Sequence, residues 1–213
     1  FCGTDSGDGE GVVAYRVSYN VAVTVGSPVH RGTMTEEAVA SAFEEFAARQ
    51  GWRVAWYSVP GTFARPDFRR IHVAEESMLL TDNIEFKGKK FQNIRTARNR
   101  AAKEGVRAVW TSWAESPVEM RERIVALSEQ WVADKALPEM GFTLGGLDEL
   151  RDPDTKLLLA VGDDGSLHAV TSWLPVYEGG ALVGYTLDFM RRDANGFRPA
   201  IEFLLAESAR IAA

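Results

Sequence analysis

The sequence predicts an α+β fold arranged as two lobes. Short β-branched runs alternate with segments of helical period along the whole chain, and Gly, Pro and Asn punctuate the junctions. Strands, a helix and a further strand early in the chain are matched by a similar set after residue 105. At 213 residues the chain is long enough for two small cores. The expected parts are a first lobe over 1–84, a basic connecting helix over 85–105 and a second lobe over 106–213.

Each element has a local reason. Residues 12–25, "VVAYRVSYNVAVTV", read as two antiparallel strands with Asn20 near the turn. The next helix has Thr35 as its cap, acids in its first turn and Gly51 as its stop. "RVAWYSV" (53–59) reads as a strand ended by Pro60-Gly61, "RPDFRRIH" as a short helix and "SMLL" (77–80) as a short strand. The basic segment is a helix from about Phe91 to Glu104, closed by Gly105, and "RAVWTSW" (107–113) is a strand. Ser116-Pro117 opens a long helix running to residue 135, with Pro at its first position. Residues 137–150 read as a loop leading to a short helix. "KLLLAVGDDGSLHAVTSWLPVY" is a hairpin turning at Asp164-Gly165, residues 181–192 are another strand, and a helix closes the chain. The opening "FCGTDSGDGEG" reads as a loop or the edge of an excised fragment.

Composition removes several function classes. A hydrophobic fraction of 46% and a charged fraction of 25% are those of a globular protein. The net charge of −6 argues against coating nucleic acid with the whole surface, but a local basic groove acts over only about 8–10 Å and is compatible with it. Cys2 is the sole cysteine, which leaves no intrachain disulfide and no multi-cysteine metal site. Phosphate-loop, dinucleotide and Gly-x-Ser-x-Gly signatures are missing. His30, His72 and His168 lack ligand spacing and read as structural or exposed.

Residues 88–105, "GKKFQNIRTARNRAAKEG", set six cations against one acid. On a helix, Phe91, Ile94, Ala97, Ala101 and Ala102 form an apolar arc, and Arg98 falls inside it. A buried guanidinium requires a carboxylate or an anionic ligand, because burying it unpaired costs several kcal/mol. Arg95 and Arg98, one turn apart, can together fork onto a phosphate, whereas Arg100 and Lys103 read as a solvated face.

The stretch "FKGKKFQNIRTARNRAAKEG" closely resembles the catalytic domain of the bacterial aminoacyl-phosphatidylglycerol synthases. "EMGFTLGGLDEL", "DDGSLHAVTSWLPVY", "LDFMRRDANG", "YNVAVTVGSPV" and "ARQGWRVAWYSV" agree with that family in order and spacing. The resemblance implies tandem acetyltransferase-like (GNAT) lobes, the second incomplete at Ala213. It also implies aminoacyl-tRNA as donor, phosphatidylglycerol as acceptor, no cofactor and no metal, and work at the cytoplasmic side of the cell membrane. Carried over residue by residue, it gives Lys89, Lys90, Arg95, Arg98, Asn99 and Arg100 for substrate binding and Asp188 and Arg191 for catalysis.

The residues themselves leave two readings of "YTLDFMRRDANGF". In one, Asp188 closes the strand in an ion pair with Arg191 or Arg192; in the other, Asp188 and Arg191 face a ligand crevice at the strand's carboxyl end. Strict alternation puts Leu187 and Phe189 on one face and Asp188 and Met190 on the other. Other expected functions are a tRNA-dependent transferase acting on a peptide or another lipid, and a non-catalytic domain binding anionic lipid or RNA. Phe203 and Leu204 on the closing helix are expected to lack part of their cover, which invites a second copy of the chain or a further C-terminal segment.

Overall fold

The computed structural model describes residues 1–5, 7–82, 84–133 and 145–213. The chain divides into two compact units, Phe1–Glu75 and Glu76–Ala213. That division falls ahead of the 85–105 segment, whose helix belongs to the second unit.

In the first unit, β1 (Cys2–Thr4), β2 (Glu10–Val12) and β5 (Val29–Arg31) form one antiparallel sheet in the order β1-β2-β5. The opening segment is therefore not simply a loop. Three-residue strands carry too little pattern to be read locally, and only their pairing defines them. β3 (Tyr15–Ser18) and β4 (Val21–Thr24) are the expected hairpin, turning through Tyr19 and Asn20 at φ 44° and 52°. β6 (Arg53–Ala55) joins β4 in parallel and is shorter than expected.

Helix α1 (Glu36–Arg49) starts at Thr35, whose side chain accepts the Ala38 N–H at 3.2 Å. Its buried Val39, Ala40, Phe43 and Ala47 repeat at helical spacing. Phe43 is fully buried, with Phe1, Tyr15 and Trp56 rings at 5.6, 5.1 and 5.5 Å. Glu44 gathers the Trp56 indole N–H at 2.9 Å and the Arg65 guanidinium, and this pairing raises the Arg65 pKa further.

Residues 65–72 are turns rather than a helix, and 77–80 form no strand. Arg70 donates back to the Gly61 and Phe63 carbonyls at 2.8 and 3.2 Å, which ties the segment to a turn. Met78, Leu79 and Leu80 are exposed, and an isolated apolar run is no strand without a ladder partner.

In the second unit a 3₁₀ turn (Lys89–Phe91) leads into α2 (Gln92–Lys103), which Gly105 ends at φ 67°. Then come β7 (Val106–Thr111), α3 (Val118–Ala133), a 3₁₀ turn (Glu149–Arg151), β8 (Lys156–Gly162), β9 (Leu167–Glu178), β10 (Ala181–Arg192) and α4 (Ala200–Ile211). The four strands form one antiparallel sheet in the order β10-β9-β8-β7. Residues 137–144 of the expected loop lie outside the described residues.

Successive residues of β8 point to opposite faces, and both faces are covered. Leu158 and Ala160 pack with Ala97 and Ala101 of α2 and Ala200, Phe203 and Leu204 of α4. Leu157, Leu159 and Val161 pack with Ile124 and Leu127 of α3, with Leu150 and with Phe189. Phe203 is 6% and Leu204 0% exposed, so the expectation of an uncovered apolar face there is overturned: α2 covers it. Among the described residues no helix is long and apolar enough to cross a membrane.

Phe43→Ala removes the ring on which the first unit's aromatic cluster converges. Denaturant unfolding followed by tryptophan fluorescence is expected to show a loss of about 3–5 kcal/mol.

Candidate functional site

The site grows from an irregularity in β10. Leu187 pairs with Trp173 and Met190 with Thr171, so Asp188 and Phe189 together oppose the single residue Ser172. This is a β-bulge, which reverses the alternation of everything beyond it. Asp188, Phe189 and Arg191 therefore share the α3 face, with Phe189 in its core, while Leu187 and Met190 take the side of Trp173 and Thr171. The alternation expected from sequence, with Asp188 beside Met190 and opposite Phe189, is corrected accordingly.

Each side chain on that face is held. Arg191 is only 8% exposed; its guanidinium lies 3.9 Å from the Trp131 ring of α3 and 4.2 Å from the Phe189 ring, and it donates to the Met190 carbonyl at 3.0 Å. Such stacking suits a planar, weakly hydrated cation and fixes its plane. Asp188 Oδ1 accepts the Gly145 N–H at 3.0 Å, and a Cβ on Gly145 would overlap the carboxylate. Asp188 Oδ2 is enclosed and has no hydrogen-bond partner among the described residues.

Burial pushes the Asp188 carboxyl above the ordinary carboxylate range. The Gly145 amide opposes this, the Glu149 carboxylate adds to it, and the Arg191 charge lowers it. Glu149 in turn accepts the Gly146 N–H at 2.8 Å and lines a cleft of about 270 Å³ with Asp152, Asp154, Thr155, Leu174 and Pro175. Three carboxylates beside two apolar walls suit a cation on an aliphatic stem. A carboxyl with a raised pKa, close enough to a fixed guanidinium to feel its charge, can take and return a proton beside a stabilising positive charge.

The basic helix lies across the sheet from this pair. Ala97 and Ala101 pack in the α4-side core, Phe91 and Ile94 are half-buried, and Ala102 is exposed. Arg98 has found a carboxylate: Nε donates to Glu207 Oε1 of α4 at 2.7 Å. Arg95 donates to the Phe86 and Gly88 carbonyls at 2.8 and 2.7 Å, bracing the turn ahead of the helix. Arg100 pairs with Glu104 one turn on, and Asn99 is exposed. Lys89 and Lys90 are exposed at the start of the helix, with the Lys90 ammonium 4.9 Å from the Phe91 ring centre.

The sequence profile of the family described as phosphatidylglycerol lysyltransferase, C-terminal, matches residues 3–213. The chain belongs to this family. It is 56% identical over 208 residues to an uncharacterized protein of Corynebacterium glutamicum, covering 95% of this chain and 26% of that one. It is 28% identical over 205 residues to the lysylphosphatidylglycerol biosynthesis bifunctional protein LysX of Nocardia farcinica, covering 94% of this chain and 18% of that protein. Its fold is similar to that of L-PGS from Bacillus licheniformis, with a TM-score of 0.78 at 20% identity, over 95% of this chain and 61% of the other. The chain thus spans about a quarter or less of the curated relatives.

For this member of the phosphatidylglycerol lysyltransferase C-terminal family, sequence reasoning missed Trp131, Gly145, Glu149 and Ser172. Signals existed for some of them. Gly145-Gly146 breaks the quoted family stretch, "DELRDPD" (148–154) is an acidic run, and Ser172 is a polar residue in an apolar strand. Trp131 looks like any core aromatic of an amphipathic helix. Among the described residues no group of His, Cys, Asp and Glu is arranged to hold a metal.

A raised carboxyl pKa favours the fold while protonated, and that contribution disappears as pH rises through the raised value. Asp188→Asn keeps the acceptor for Gly145 without the charge. Thermal melts from pH 4 to 8 are expected to show the variant gaining on the unmodified chain as pH rises. A difference independent of pH would contradict the raised value.

Proposed function

We propose that the chain is the catalytic part of a transferase that moves an aminoacyl group from aminoacyl-tRNA to the glycerol hydroxyl of phosphatidylglycerol. The observation that carries this reading is the placement of Asp188 and Arg191 on one sheet face beside an acid-lined cleft. Family membership and the likeness to LysX support the lipid acceptor and a lysyl group, whose ammonium and aliphatic stem fit the cleft's carboxylates and apolar walls. We read the two units as the family's tandem GNAT lobes, working at the cytoplasmic face of the membrane.

The reaction is an ester exchange. The lipid hydroxyl attacks the aminoacyl carbonyl, a new ester bond forms, the bond to the tRNA ribose oxygen breaks, and the proton passes from the hydroxyl to that oxygen. The donor ester is already activated, so alignment, proton transfer and charge stabilisation are what the protein supplies. Asp188 takes the proton and returns it, which its raised pKa favours. Arg191, with its plane fixed by two rings, supplies positive charge to the lipid phosphate or the developing oxyanion. The basic helix meets the tRNA backbone through Lys89 and Lys90, and the acceptor end passes round the sheet to the opposite face.

The direct experiment follows a radiolabelled amino acid from charged tRNA into chloroform-extractable lipid. Asp188→Asn is expected to lower transfer by about 10²–10⁴-fold, and Arg191→Lys to lower it through loss of the planar fork. Nearly full transfer in Asp188→Asn would sink the assignment, and label arriving in a peptide would identify a different acceptor.

Lys89 and Lys90 provide a separate check. Each phosphate neutralised contributes about −0.7 to −0.9 to the slope of log affinity against log salt. Replacing both lysines with alanine is expected to flatten the slope for tRNA binding. An unchanged slope would leave them as a solvated face.

A further inference from the structure

Asp188 and Arg191 are three residues apart in one strand, an odd separation that regular alternation would send to opposite faces. Only the extra residue at the bulge brings them together, so whatever holds the bulge determines whether the site exists. A bulge disrupts the ladder locally, and a backbone donor left there inside a protein needs another acceptor. The donor here is Phe189 N–H, and its acceptor is Ser172 Oγ at 3.0 Å. Ser172 is fully buried and stands opposite the two bulged residues.

We infer that Ser172 is a positioning residue of the site, its hydroxyl holding the β10 bulge that sets Asp188 and Arg191 on one face. The chain of contacts is short. Ser172 fixes the Phe189 amide, the Phe189 ring lies against the Arg191 guanidinium, and Trp131 of α3 closes the other contact. Asp188 precedes the fixed amide, so its carboxylate is presented to Gly145 and toward Glu149. The neighbouring hydroxyl, Thr171 Oγ1, is already engaged: it accepts the Trp173 indole N–H at 2.9 Å and donates to the Leu158 carbonyl at 3.3 Å. An apolar side chain at 172 would fill the same core but accept nothing.

The catalytic meaning rests on the proposed roles of Asp188 and Arg191, so the test has one arm that needs no activity. Ser172→Cys keeps nearly the same volume and replaces a good acceptor with a weak one. By NMR, the Phe189 amide of the variant is expected to exchange with solvent about 10-fold faster or more. The titration midpoint of the Asp188 carboxyl is expected to move from its unmodified position, where Glu149 and Arg191 are the charges acting on it among the described residues. In the transfer assay the variant is expected to lose about 10–100-fold in kcat with little change in KM, as misalignment of a correctly bound substrate does. Ser172→Thr retains the hydroxyl and is expected to hold both the amide and the midpoint. If Ser172→Cys leaves the exchange or the midpoint unchanged, Ser172 only fills space and the inference falls. If both change in a protein that shows no transfer even when unmodified, the inference stands and the proposed reaction falls instead.

Discussion

Burial of β8 on both faces is the constraint around which the second unit is organised. Leu157, Leu158, Leu159, Ala160 and Val161 are each at most 2% exposed, so each face of the sheet needs its own cover. α2 and α4 supply one and α3 the other. The consequence is a division of labour by side. The cations of α2 are on one face, while Asp188, Arg191 and the carboxylates of the cleft are associated with the opposite one. The cations of the basic helix and the carboxylates of the cleft are thus kept apart, and a chain of net charge −6 can still present a local basic face.

The bulge in β10 works at a smaller scale. One additional residue converts an Asp-x-x-Arg spacing, which suits a helix face, into a pair usable on a strand. The backbone donor displaced by that residue is met by a side chain of the adjacent strand, since leaving it buried and unmet would cost about 1–3 kcal/mol. Gly145 completes the arrangement from the other side, where its N–H reaches the carboxylate and any Cβ would collide with it. A carboxyl so enclosed favours its protonated form, and the same enclosure makes it suitable for handling a proton.

The basic helix shows how a charge cluster can be mostly structural. Arg98 ties α2 to α4 through Glu207, which also holds Arg210 at 2.9 Å, and Arg95 satisfies the carbonyls of the turn before the helix. Guanidiniums do this well because their several donors are fixed in one plane. Lys89 and Lys90 at the helix start and Lys103 near its end are exposed, and their charge faces solvent. A count of positive residues therefore overstates the charge available to a partner.

The sequence alone determined the elements whose reasons are local. Thr35 capping α1, Gly105 ending α2, Asp164-Gly165 turning β8 into β9 and the Tyr19-Asn20 turn all depend on the conformational preferences of a few adjacent residues. It also singled out Asp188 and Arg191, and it left open whether Arg98 meets a carboxylate or a ligand. Tertiary structure decided what depends on a partner distant in the chain. The β1–β2–β5 sheet exists only through pairing, residues 77–80 form no strand for want of it, and Phe203 is covered because α2 returns over it. Arg98 found Glu207, 109 residues away. The face on which Asp188 sits was likewise undecidable from alternation, because an inserted residue reverses it and the register of β10 against β9 fixes where that residue goes.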